Sequence, residues 1–144
     1  MADIIKKGSA HWEGTIKEGT GHISTESGAL TNQPYGFNTR FEDKVGTNPE
    51  EILGAAHSGC FSMALTLGLG NEGFTAESID TVAAVTLSKD EKGFFVSKVH
   101  LESHVKVQGG IDEAKFQEIA AATKAGCPVS RLFNAEITLD AKLI

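Results

Sequence analysis

Apolar residues share the same parity at Ala10, Trp12 and Ile16 ahead of a Glu18-Gly19 turn signal, and a short polar strand around His22 to Thr25 is placed to pair back. The chain therefore opens as a β-meander. Gly28 to Pro34 suits a loop. Beyond it Tyr35, Phe37, Thr39 and Phe41 alternate with Asn38 and Arg40, which predicts a strand with an aromatic face and Arg40 on the opposite one.

The period then changes. Thr47-Asn48-Pro49-Glu50-Glu51 supplies a cap candidate, a proline where the first turn needs no N–H, and two carboxylates at the positive end of a helix. Ile52, Leu53, Ala56, Cys60, Met63, Ala64 and Leu67 follow at helical spacing, so a helix over 49–69 is expected, with Cys60 on its apolar stripe. Gly54 and Gly59 weaken such a helix by about 1 kcal/mol each relative to alanine, and each marks a close approach or a break; Gly59, beside the thiol, is the more suggestive. Two alternating runs, Ile79 to Leu87 and Phe94 to Val107, flank Lys89-Asp90-Glu91-Lys92-Gly93 as a hairpin, with Phe95, Val99, Leu101, Val105 and Val107 expected on one face. Asp112 then caps a helix carrying Phe116, Ile119, Ala120 and Thr123, which stops at Gly126, and a short helix restarts at Pro128. Ala135, Ile137, Leu139, Ala141 and Leu143 close the chain as a strand. Strands, helix, hairpin, helix, strand is the order of an α+β domain, with mostly antiparallel sheets packed on a buried central helix, and 144 residues suit a single domain over 1–144.

Charge narrows the function. Thirteen basic against nineteen acidic residues give a net charge of -6, and no lysine or arginine run offsets it, which opposes a general nucleic-acid role. The start, MADIIKKGSAHWEG, has no apolar run after its lysines, and no stretch approaches the roughly 18 apolar residues of a membrane span, so a cytoplasmic protein without a membrane role is expected. The two cysteines, Cys60 and Cys127, remain as the candidate chemistry. In a reducing compartment a structural disulfide does not persist, so a bridge between them would be transient and catalytic. Taken alone, Cys60 also reads as a small apolar residue filling the gap between Ala56 and Ala64. Cys127 precedes proline at a helix start, where backbone N–H groups lower a thiol pKa, and Arg40 is the strand-borne cation nearest aromatic residues in the sequence.

Several segments together resemble the OsmC/Ohr organic hydroperoxide reductases, most closely the OsmC branch. They are His11-Trp12-Glu13-Gly14, Ser24 to Gly28, Gln33 to Phe41, Gly46 to Glu51, Ala55 to Leu65 and Ala125 to Ser130, which spread over essentially the whole chain. The resemblance implies a peroxidatic Cys60, a resolving Cys127, and an Arg40 and Glu50 pair that holds the first thiol as thiolate. It also implies an OsmC-like fold in an intertwined homodimer with its active sites at the subunit interface. The expected activity is a thiol-dependent peroxidase that needs no cofactor and reduces organic hydroperoxides to alcohols, linked to stress response, and reset by an external dithiol such as a lipoylated protein.

Ten residues separate Glu50 from Cys60. On an unbroken helix that is a rise of about 15 Å, so either Glu50 reaches the site from the partner subunit or the helix breaks near Gly54 or Gly59. Tyr35, Phe37, Phe41, Met63, Leu132 and Phe133 are candidates for an apolar wall favouring alkyl hydroperoxides. Two rival readings stand beside this one. A zinc site can be drawn from Cys60, Cys127 and His57, which lies one helical turn before Cys60, but it lacks a fourth ligand. The other is a non-enzymatic dimer that binds apolar small molecules, its cysteines being mere packing.

Overall fold

Asn48 sets the start of the longest helix: its side-chain carbonyl accepts from the Glu51 amide at 2.8 Å, and Pro49 occupies the first turn, where no N–H is required. The structure is a computed structural model that describes residues 1–144. Its elements divide into two compact units, Met1–Ile52 and Leu53–Ile144, and the long helix runs from the end of the first through the start of the second.

In the first unit, β1 (Gly8–Glu13), β2 (Thr20–Thr25) and β3 (Gln33–Tyr35) form the expected meander, antiparallel and in the order β1-β2-β3. Ile16 lies in the β1-β2 connection and is exposed, outside the strand alternation assigned to it. Gly21 pairs with Trp12 on one side and Tyr35 on the other. A Cβ there would fall 2.4 Å from the tyrosine ring and 2.7 Å from the indole, so only glycine lets the two rings approach to 5.6 Å across the sheet.

The strand predicted through Tyr35 to Phe41 ends at Tyr35. It is followed by a short helix, α1 (Phe37–Phe41), so Arg40 sits on a helix and not on the back of an aromatic strand. Phe37 and Phe41 are four apart, a spacing that satisfies a strand face and a helix face equally. Here they meet as helical neighbours, with ring centroids 5.0 Å apart. Thr39 decides the outcome, because its hydroxyl accepts from the Gly36 amide and donates to the Gly36 carbonyl, closing the first turn.

The long helix, α2 (Pro49–Asn71), is unbroken, which removes the alternative of an interruption near Gly54 or Gly59. It buries Gly54, His57, Phe61, Leu65 and Leu69, the face beside the stripe expected from the sequence, while Met63 and Leu67 are exposed. Both faces of α2 are apolar, so periodicity alone does not choose between them. The central helix is thus half-buried in the protomer and not fully enclosed. Gly54 is the close approach: a Cβ there would stand 3.0 Å from the Ala83 carbonyl, whereas Gly59 has nothing within 4 Å. By length and composition α2 is also apolar enough to cross a membrane, with a mean hydropathy of 1.4. This corrects the expectation that no stretch approaches a membrane span: serine, threonine and His57 interrupt the apolar run without lowering its average much.

The second unit builds on β4 (Ala76–Asp90) and β5 (Gly93–Val107), a long antiparallel hairpin, with β6 (Glu136–Leu143) parallel to β5 on its other side. A parallel neighbour needs a crossover, and α3 (Glu113–Gly126) with α4 (Pro128–Leu132) supplies it. Asp112 caps α3 as predicted, accepting from the Lys115 amide. Val99, Leu101, Val105 and Val107 are buried as expected, but Phe95 is exposed, because a register shift between Thr86 and Leu87 rotates the strand end to the other face. Phe61, Leu65 and Leu69 of α2 join Leu101 and Val105 of β5 and Phe116, Ile119 and Ala120 of α3 in one core, which includes Cys127.

Candidate active site

Pro128 disfavours helical dihedrals in the residue before it, and Cys127 accordingly adopts φ -56, ψ 128 between two helices. Its amide still donates to Thr123 at the end of α3, and its carbonyl already accepts from Arg131 in α4. The side chain is fully buried in the core. Cys60, in the middle of α2, is half-buried, and both thiols are free. The fold sets them side by side. Cys60 packs against the core that contains Cys127, and the Cys127 side chain and the Val129 backbone both act on its thiol.

Burial pushes the Cys60 thiol up from its ordinary value, since a thiolate loses water there. The backbone hydrogen bond of Val129 works the other way, and the Cys127 side chain raises it further, both as a hydrogen-bond partner and as a neighbouring charge. No cation is among these influences. Within its own unit, then, Cys60 is a protected thiol beside a second thiol, the pairing required for a disulfide.

His57 lies one turn before Cys60 on the same helix and is completely buried. Its Nε2 is 2.7 Å from the Ser130 hydroxyl, and its ring packs at 5.4 Å from Phe133. Burial lowers its pKa and keeps the imidazole neutral. His57 is therefore engaged with Ser130, and the zinc set drawn from His57, Cys60 and Cys127 is not assembled.

Arg40 and Glu50 meet in the first unit, within one chain. The Arg40 Nε lies 3.1 Å from both carboxylate oxygens, and a terminal nitrogen reaches Oε1 at 2.5 Å, so the guanidinium plane is fixed by a fork on one carboxylate. Asn48 brings the two side chains together. Its carbonyl caps α2 while its amide donates to the Thr39 carbonyl at 3.3 Å, which registers the end of α1 against the first turn of α2. Arg40 follows Thr39, Glu50 precedes Glu51, and the pair closes between them. Sequence reasoning recognised Asn48 only as one member of a cap motif; its second contact, to a carbonyl nine residues back, carries no local signal.

Arg40 also lines a cavity of about 320 Å³ with Trp12, Ile16, Tyr35, Gly36, Phe37, Phe41 and Pro49. Three expected wall residues, Tyr35, Phe37 and Phe41, are present. Met63 and Leu132 are exposed, and Phe133 packs on His57. Trp12 was missed as a wall residue because its role depends on pairing with Gly21 and Tyr35 across the sheet.

Residues 41–142 match the family described as OsmC-like protein. The chain belongs to the OsmC family. It is 61% identical over 140 residues, 97% of each chain, to the peroxiredoxin OsmC of Escherichia coli (strain K12). It is 31% identical to the organic hydroperoxide resistance protein OhrB of Bacillus subtilis (strain 168), covering 85% of this chain and 89% of that one. The crystal structure of an organic hydroperoxide resistance protein from Elizabethkingia anophelis with crystallant-derived thiocyanate bound superposes with a TM-score of 0.77 at 21% identity, covering 99% of this chain and all of the other. That likeness is one of fold, and the α+β architecture is that of the OsmC family.

Proposed function

We propose that this protein is a thiol peroxidase that reduces organic hydroperoxides to alcohols, with Cys60 as the attacking thiol and Cys127 as the resolving one. The observation that carries the reading is the packing of two free thiols, Cys60 against the core that contains Cys127, in an OsmC-family fold. Likeness to a peroxiredoxin and to an organic hydroperoxide resistance protein supports the substrate class.

The Cys60 thiolate attacks the terminal oxygen of the hydroperoxide; the O–O bond breaks, the alkoxide takes a proton and leaves as alcohol, and sulfur keeps the oxygen as sulfenic acid. Cys127 then attacks the oxidised sulfur, the S–O bond breaks, water leaves, and a Cys60–Cys127 disulfide remains. An external dithiol reduces it to two thiols and is itself oxidised to a cyclic disulfide; a lipoyl group on a carrier protein in the cytoplasm fits this role.

Burial opposes the Cys60 thiolate, so the reaction needs a cation. The Arg40–Glu50 pair is the suitable source, Arg40 facing the sulfur and the peroxide oxygen while Glu50 holds its plane. Glu50 sits in the first turn of an unbroken α2 and Cys60 ten residues along it, a rise of about 15 Å. A homodimer reconciles the two, with the pair of one protomer set against the thiols of its partner. The aromatic cavity beside Arg40 then receives the alkyl part of the substrate.

The test is steady-state consumption of tert-butyl hydroperoxide with dihydrolipoamide. Turnover is expected in the unmodified protein, none in Cys60→Ser, and a single reaction without turnover in Cys127→Ser. Absence of turnover with every dithiol tried would favour a dimer that only binds apolar molecules.

A further inference from the structure

Of the buried ionisable groups, His57 is the one that the chemistry above leaves without a task. Ser130 is buried with it, the two lie 73 positions apart in sequence, and their 2.7 Å contact joins α2 to α4. The other ring nitrogen, Nδ1, is buried with no hydrogen-bond partner in the protein. Burying a polar atom in that way costs stability, and the Nε2–Ser130 contact is the hydrogen bond that the ring does make.

The placement of this contact shows its use. His57 is one turn from Cys60, and Ser130 follows Cys127, Pro128 and Val129. The same short segment carries Cys127 and Val129, which lie in and against the core that Cys60 packs on and which both act on its thiol. A helix of five residues has little stability of its own, so its position depends on what ties it to the core. The His57–Ser130 hydrogen bond is such a tie, fixed at one end to the helix that carries Cys60.

We infer that His57 and Ser130 are positioning residues for disulfide closure: their hydrogen bond holds the Cys127–Ser130 segment in register with Cys60 while the sulfenic acid is replaced by the bridge. The inference rests on the Cys60–Cys127 reading above and adds residues to its second step. Closure forms the S–S bond and breaks the S–O bond, and the departing hydroxide takes the Cys127 proton and leaves as water. The Cys127 sulfur must reach bonding distance in line with the S–O bond, so closure is more sensitive to register than the peroxide step, in which the Val129 contact is one influence among several.

The experiment uses the full protein in single turnover, with one equivalent of tert-butyl hydroperoxide. Peroxide loss, disulfide appearance by mass spectrometry after alkylation, and sulfinic acid formation under excess peroxide are followed for Ser130→Ala, His57→Ala, Ser130→Thr and His57→Gln. In the alanine variants closure is expected to slow about tenfold, the scale of one lost hydrogen bond, with sulfinic acid accumulating and peroxide loss changed less than about threefold. The threonine and glutamine variants, which keep a hydroxyl or an amide at the contact, recover closure. Ser130→Ala removes a single oxygen and carries the test if His57→Ala does not fold. Closure at the unmodified rate, equal slowing of both steps, failure of both conservative variants to recover, or unfolding of both alanine variants would overturn the inference. If the unmodified protein consumes peroxide without forming the bridge, the reading of Cys127 itself fails and takes the inference with it.

Discussion

At the scale of single residues, the site depends on how side chains far apart in sequence constrain one another. In the proposed site Arg40 serves as a cation with its plane fixed, and Glu50 fixes it through two acceptor oxygens, of which an amide keeps the shape but only one acceptor and no charge. Glu50→Gln is therefore expected to slow the peroxide step by about tenfold and Arg40→Ala by roughly a hundredfold, read by stopped-flow peroxide consumption; unchanged rates in both would remove the pair from the reaction. His57 makes a different prediction. Burial depresses its pKa below the ordinary 6.5, so in the window below 6.5 the unfolded chain takes up a proton that the folded protein refuses. Its contribution to stability is complete above that value and is lost as the pH falls towards the folded pKa. Between about pH 7 and about pH 5 the unmodified protein should lose more melting temperature than His57→Gln, measured by circular dichroism; parallel losses would mean that His57 is not held neutral. The candidate site was partly legible at this scale. Cys60, Cys127, Arg40 and Glu50 stood out through the motif segments, and the structure joins the cysteines to each other and the charged residues to each other. Ser130, and the second contact of Asn48, are defined by partners that no local pattern reveals.

Elements were read best where one period had one explanation. The β4–β5 hairpin, α3 with its Asp112 cap, and the break at Cys127-Pro128 all follow from local chemistry, and α3 and the break lie close to their expected limits, whereas β4 runs three residues beyond the expected Ile79 to Leu87 at each end. Errors arose where two explanations fitted. The even spacing of Phe37 and Phe41 concealed α1, a register shift moved Phe95 to the other face, and α2 had two apolar faces to choose from. The glycines of α2 reversed in importance for a related reason: Gly59 attracted notice by standing next to a thiol, but Gly54 is the one against a neighbouring strand. Gly54→Ala should destabilise by about 1 kcal/mol or more despite the better helix propensity of alanine, because the Ala83 carbonyl has to give way. Gly59→Ala, with open space around it, should stabilise by up to about 1 kcal/mol. Urea denaturation of both variants checks the contrast, and equal effects would mean that the Ala83 contact does not constrain the helix.

For the whole molecule, the matter of interest is the outer face of α2. Met63 is 77% exposed and Leu67 65% exposed in the protomer, on a helix whose other face is fully committed to the core. Exposed apolar side chains on a continuous face are covered by a partner in a stable assembly, here the second copy required by the proposed site. Met63→Asp is expected to shift the protein towards monomer in sedimentation experiments and to reduce peroxide turnover along with it. A fully dimeric and active variant would place the interface elsewhere. In the proposed dimer, the composition that lets α2 pass for a membrane span on length and hydropathy would serve two cores, its own and a shared one. If that face is covered only in the proposed dimer, folding and association would become a single concentration-dependent equilibrium. Dilution alone should then lower the melting temperature, and the enzyme's stability would be set in part by how much of it there is.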